Sequence, residues 1–181
     1  MPHSFDLSAH YPGTVERVRA AFSEKGYWLS RLADSGADSA TLDSMTVGSD
    51  GTVRVATTQT LRSGRLPALL SQFHPGNVEI VRNETWDPIG AGVAHGEVTG
   101  TVTGAPVTMA GTAVLEPTDS GSRLTFTVTV QVHVPLVGGK LETFIGGKLA
   151  ELVAAEQRFT RRGSSSIKRR GGPAEDRPQR R

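Results

Sequence analysis

Residues 123–162 constrain the fold of this chain more than any other stretch. From 124 to 134 the sequence alternates with a period of two. Phe126, Val128, Val130 and Val132 fall on one side, and Thr125, Thr127, Thr129 and Gln131 on the other. Such alternation specifies an antiparallel strand with one dry and one wet face. Val134-Pro135-Leu136-Val137-Gly138-Gly139-Lys140 then leads into a long amphipathic segment. At about 100° per residue, Leu141, Phe144, Ile145, Leu149, Leu152 and Phe159 share one stripe. A helix over 138–159 spans about 33 Å, and strands of ten to twelve residues reach roughly 33–40 Å. One helix is therefore long enough to lie along the dry face of a bent sheet. A sheet bent around a helix can enclose an apolar cavity.

The rest of the chain supplies that sheet. Residues 5–11 alternate and predict a first strand. Pro12-Gly13 turns the chain, Thr14 is a helix N-cap, and Val15, Val18 and Phe22 follow at helical spacing with Gly26 as the stop. A second short helix is predicted over 28–33, with Leu29 and Leu32 apolar and Gly36 beyond its end. Strands are expected over 41–47 and 52–60, joined at Gly48-Ser49-Asp50-Gly51, because Asp-Gly marks a hairpin. A helical turn over 65–73 interrupts the strands. Further strands follow over 78–87, 93–103, 107–115 and 124–134, separated by Gly, Pro and Asp-Ser-Gly turns. The expected architecture is α+β. A curved antiparallel sheet of about seven strands wraps a long C-terminal helix, with two short helices after the first strand.

Charge divides the chain in two. Residues 1–157 carry 11 Lys and Arg against 16 Asp and Glu, net −5, whereas residues 158–181 carry 9 against 2, net +7. An acidic body argues against a broad nucleic-acid-binding face. From Gly163 onward there is almost nothing to bury, which predicts one domain over 1–162 and a disordered basic tail over 163–181. The absence of cysteine excludes disulfides and zinc–thiolate sites. The first residues lack a basic segment followed by an apolar run, and no apolar run reaches the length of a membrane span. A cytoplasmic protein is expected.

Four pieces of the sequence resemble a known family. They are Leu66-Pro67-Ala68-Leu69-Leu70, Asn83-Glu84-Thr85-Trp86, residues 104–112 (GAPVTMAGT) and residues 134–142 (VPLVGGKLE), the last being the most specific. Together with the order of elements, they make residues 3–162 similar to the START-like, or helix-grip, superfamily of lipid-transport proteins and polyketide cyclases. More narrowly, the chain resembles an uncharacterised actinobacterial branch, domain of unknown function 2505. The resemblance implies a fold and a cavity but no reaction.

The dry strand and the helix stripe supply candidate ligand-binding residues. On the sheet these are Phe126, Val128 and Val130, with Trp86 and Arg82 from the strand over 78–87. On the helix they are Phe144, Ile145, Lys148, Leu149 and Leu152. Trp28, Tyr27 and Phe73 are further wall candidates, or plain core. Lys148 and Glu156 lie in the apolar stripe, as headgroup anchors or as side chains reaching water along their stems. Arg82 and Glu84 alternate with Val81 and Asn83, so the inward face of that strand stays open. Gly146-Gly147, inside the final helix, marks a kink, a close contact or a weak point for ligand entry.

Catalytic signals are weak. His95 and Glu97 share a strand face and could do acid–base work. The small residues Gly92, Ala94, Gly96 and Gly100 around them favour an outward His95 and Glu97, with the glycines making room inside. The five histidines have no metal spacing, and neither Gly-Gly-Lys-Leu piece matches a phosphate loop. No catalytic residue, cofactor or metal is expected. Three functions compete. The first is carriage of a hydrophobic small molecule. The second is cyclase-like catalysis by confinement, with Arg82, His95, Glu97 and Lys148 as its only polar suspects. The third is weak contact of the 163–181 tail with anionic membrane or nucleic acid.

Overall fold

The computed structural model describes residues 3–65, 76–103 and 106–133, together with Thr143 and Gly147. Strand β1 (His3–Tyr11) precedes helices α1 (Val15–Phe22) and α2 (Lys25–Ala33). Then come β2 (Ser39–Val47), β3 (Val53–Leu61), β4 (Val78–Trp86), β5 (Ala94–Thr103), β6 (Val107–Thr118) and β7 (Gly121–Val132). They form one curved, seven-stranded antiparallel sheet in the order β1-β7-β6-β5-β4-β3-β2. Neighbours in space are mostly neighbours in sequence, so hairpins build most of it. The exception is β1, which pairs with β7.

Local chemistry explains the element ends. Thr14 caps α1, its hydroxyl accepting from the Arg17 amide. Helix α1 stops at Ser23 rather than at the predicted Gly26. The Ser23 amide already bonds back to Ala20, and Glu24 turns extended to begin α2, which takes Gly26 into its first turn. The buried face of α2 is Trp28, Arg31 and Leu32, while Leu29 is 47% exposed. That corrects the expected Leu29–Leu32 stripe. Gly51, at φ +86, closes the β2–β3 hairpin in a conformation that suits glycine. The β6–β7 turn needs only Asp119 and Ser120, so both strands run further than predicted.

Helices α1 and α2 pack on one face of the sheet. Val15, Val18, Phe22 and Trp28 pack there on Val53, Trp86, Ala94 and Leu115. Arg19 ties this layer down from within, donating to the carbonyls of Gly51, Trp86 and Asp87 and to the Ser23 hydroxyl. A second cluster joins Val107, Met109, Val128, Val130 and Val132. On the dry face of β7, Val128, Val130 and Val132 are buried as the alternation demands, and Phe126 is half-buried. The predicted helical turn over 65–73 lies almost wholly outside the described residues. So do the long C-terminal helix and the 163–181 tail, except that Thr143 and Gly147 are helical.

Strand β5 also follows its pattern. Ala94, Gly96, Val98 and Gly100 are buried, whereas His95, Glu97 and Thr99 are exposed. The expectation that these glycines open space inside is corrected. A Cβ on Gly96 would lie 2.7–2.9 Å from the Trp86 indole, and one on Gly100 would lie 2.6 Å from the Met109 methyl. Trp86 stands opposite Gly96, and Gly100 opposite Met109. Each glycine thus seats a large side chain from the neighbouring strand.

Candidate functional site

Between the two core clusters the concave face keeps a cavity of about 60 Å³. This is room for a small guest, below the roughly 300–1,000 Å³ that encloses drug-sized ligands. Its wall on the β1–β7 side is apolar, with Leu7, Leu124, Phe126 and Val128. Phe22, Tyr27 and Trp86 bound it toward the helices, and Val98 and Met109 line the middle of the sheet. Arg31, Arg82 and Glu84 are the charged side chains among the described lining residues.

These three form one network. The two-residue period of β4 puts Arg82, Glu84 and Trp86 on a common face. Opposite them on β5 stand Gly100, Val98 and Gly96, residues short enough to let long side chains lie over the sheet. Arg31 comes down from α2 and donates from Nη2 to Glu84 Oε1 at 2.9 Å and from Nη1 to Oε2 at 3.4 Å. Arg82 Nη2 lies 2.7 Å from Oε1, and Trp86 Nε1 donates to Oε2 at 3.2 Å. The side chains of Glu84, Arg31 and Arg82 are only 4%, 10% and 12% exposed. The Arg31 guanidinium also stacks 4.8 Å from the centre of the Trp28 ring, a cation–π contact that holds its plane. Trp28 is itself fixed by its indole N–H bonding the Phe22 carbonyl at 2.8 Å. Phe22 packs on Trp86 with ring centres 4.6 Å apart.

Burial by itself would raise the Glu84 pKa. The charges of Arg31 and Arg82, then hydrogen bonds from Arg31 and Trp86, outweigh it and hold the carboxyl below an ordinary glutamate. The group is therefore ionised at neutral pH and makes a poor general base. A consequence for stability follows. A depressed folded pKa contributes stability that is complete above the ordinary value of 4.5 and is lost as pH falls through the folded value. Below pH 4.5 the unfolding free energy is expected to fall with pH more steeply in the native protein than in E84Q. The difference is about 1.4 kcal/mol per pH unit at most. Chemical denaturation at a series of acidic pH values measures it, and equal slopes would show that Glu84 is not held ionised.

Of the sequence-derived site residues, Arg82, Trp86, Phe126 and Val128 meet in the cavity. Val130 is buried in the second cluster and is not among the residues lining the cavity. Phe144, Ile145, Lys148, Leu149 and Leu152 lie outside the described residues. His95 and Glu97 are on the outer face, which removes them as an acid–base pair inside. Sequence reasoning missed Arg31 and the acceptor role of Glu84. A signal existed: Trp28, Arg31 and Leu32 sit at helical spacing, with a cation in an otherwise apolar stripe. Among the described residues no group of His, Cys, Asp or Glu could hold a metal, and no helix is long and apolar enough to cross a membrane.

Comparison with known proteins agrees with this architecture. The family model described as protein of unknown function (DUF2505) matches residues 6–162. Uncharacterized proteins of Mycobacterium tuberculosis and Mycobacterium bovis are each 49% identical over 166 residues, covering 88% of this chain and 95% of theirs. A crystal structure from Thermus thermophilus superimposes with a TM-score of 0.59 at 15% identity, covering 92% of this chain and 99% of that one. The di-domain ARO/CYC StfQ from the steffimycin biosynthetic pathway gives 0.61 at 12% identity, covering 95% of this chain and 53% of that one. The chain belongs to the DUF2505 family, and it shares its fold with these solved structures.

Proposed function

We propose that this protein binds a small, mainly apolar molecule in the cavity on the concave face of the sheet, and does so in the cytoplasm. One observation carries the reading: among the described residues, the cavity is lined by apolar side chains and the two tyrosines Tyr11 and Tyr27, with one charged cluster, Arg31, Arg82 and Glu84, in its wall. That division suits a guest held by burial and oriented by a few polar contacts. The test is thermal melting and native mass spectrometry of the full chain against short fatty acids, isoprenoids and small aromatic polyketides. A binder at a hundred times its Kd is expected to add about 2.7 kcal/mol of stability. No retained mass and no rise in melting temperature across the panel would refute the reading. Repeating it without residues 163–181 separates the cavity from the basic tail. Loss of binding on that deletion would favour contact of the tail with anionic lipid or nucleic acid.

A second reading, cyclase-like catalysis by confinement, draws on the inward Arg82. Its cation can stabilise oxyanion character in a folded guest. Against it stand the outward His95 and Glu97 and an ionised Glu84 already engaged by four donor groups.

A further inference from the structure

Resting on the cavity reading above, we infer that Met109 is the residue that sets the length of the guest. It is a movable partition against which the end of an unbranched apolar chain stops. The cavity and the second core cluster are neighbours. Met109 and Val128 are the buried members of that cluster that also line the cavity. Val107, Val130 and Val132 complete the cluster. A longer guest gains room on this side only if one of the two shared residues yields. Val128 is β-branched and holds essentially one side-chain torsion. One of its methyl groups already rests on β6, 3.1 Å from where a Cβ on Gly111 would stand. Met109 is unbranched, with three rotatable bonds and a soft thioether. Its methyl lies on β5 in the seat that Gly100 leaves, 2.6 Å from where a Cβ there would stand.

The other walls are held more firmly. Trp86 is seated over Gly96 and donates to Glu84. Phe22 packs on both Trp86 and Tyr27, with ring centres 4.6 and 5.3 Å away. Arg31 and Arg82 are tied to Glu84. Phe126 touches both clusters, but a ring moves only as a whole. At about 60 Å³ the cavity takes a short body as it stands, so each further chain atom requires Met109 to swing aside. What it vacates has the shape of its own side chain, a narrow run of about four non-hydrogen atoms. An unbranched chain fills that space. A ring or a branched body would also have to displace Val128, which is packed on β6.

The test uses the full chain and its own tryptophan fluorescence, since Trp86 lines the cavity. Unbranched primary alcohols from butanol to dodecanol are titrated, and the chain length at which affinity stops rising is recorded. Met109→Ala removes about three side-chain atoms and should move that limit about three carbons longer. A chain just past the native limit should then bind at least tenfold tighter, since every buried methylene adds to the transfer free energy. Leu124→Ala removes as many atoms from the β7 wall and should leave the limit within about one carbon. Met109→Leu keeps the volume but loses the swing. It should weaken the longest native binder about tenfold and leave the short alcohols within about twofold. If M109A does not fold by melting, M109L serves alone, because it nearly conserves volume. An unchanged limit in M109A and M109L would overturn the assignment and leave the cavity reading standing. A shift in L124A as large as that in M109A would do the same. No binding of any alcohol by the native chain or the variants would overturn both.

Discussion

Glu84→Ala is expected to destabilise the protein by about 3–5 kcal/mol, because it leaves two guanidinium groups buried without their common counter-ion. Arg31 Nη2 and Arg82 Nη2 both contact Glu84 Oε1, at 2.9 and 2.7 Å, and Trp86 donates to the other oxygen. Removing the carboxylate takes this acceptor from all three side chains at once. Domains of this size have about 5–15 kcal/mol in total, so the loss is a large share. Glu84→Gln keeps one acceptor oxygen and should cost less. The informative contrast is the triple variant R31M/E84L/R82M. Replacing a whole buried ion cluster by apolar side chains is often neutral or stabilising. It should therefore recover most of what E84A loses. Urea denaturation of the three proteins measures this. A cost below about 1 kcal/mol for E84A would mean that water reaches the cluster and screens it.

Trp86→Ala is expected to cost about 3–5 kcal/mol, in the range for a large aromatic removed from a core. The indole lies over Gly96, packs on Phe22 with ring centres 4.6 Å apart, is 2% exposed, and donates to Glu84. Its removal creates a void that adjoins the existing cavity. Apolar voids of this kind stay open enough to take small rings. Added indole should therefore raise the melting temperature of W86A and leave the native protein nearly unchanged. Gly96 sharpens the comparison. Gly96→Ala presses a methyl group against the same ring and should cost about 1–3 kcal/mol by overpacking. A W86A/G96A double variant relieves that clash, so the two costs should not add. Additive costs, or no response to indole, would show that Trp86 does not rest on Gly96.

Much of the strand plan could be read locally. The dry side of β7 is buried where Val128, Val130 and Val132 predict it, and β5 turns Ala94, Gly96, Val98 and Gly100 inward. Asp50-Gly51 closes its hairpin, and Thr14 caps its helix. These features depend on the pleat period and on one or two residues at each turn, so short windows of sequence contain them. The ends of α1 and α2 were less legible, since Gly26 can stop one helix or open the next, and hydrogen bonding at Ser23 decides.

The site was legible only in fragments. Arg82 and Trp86 stood out as candidates, yet the inward face of β4 could not be chosen, because both of its faces carry polar residues. The structure chose it by bringing Arg31 onto Glu84 from 53 positions away in the chain. The sequence by itself determined the strand pattern, the turns and the acidic body with its basic end, all consequences of periodicity and composition. Tertiary structure alone decided that the glycines of β5 seat Trp86 and Met109 instead of leaving space, and that two arginines converge on one carboxylate. A buried charge is tolerable only beside its partner, and which residues become partners is settled by packing rather than by spacing along the chain.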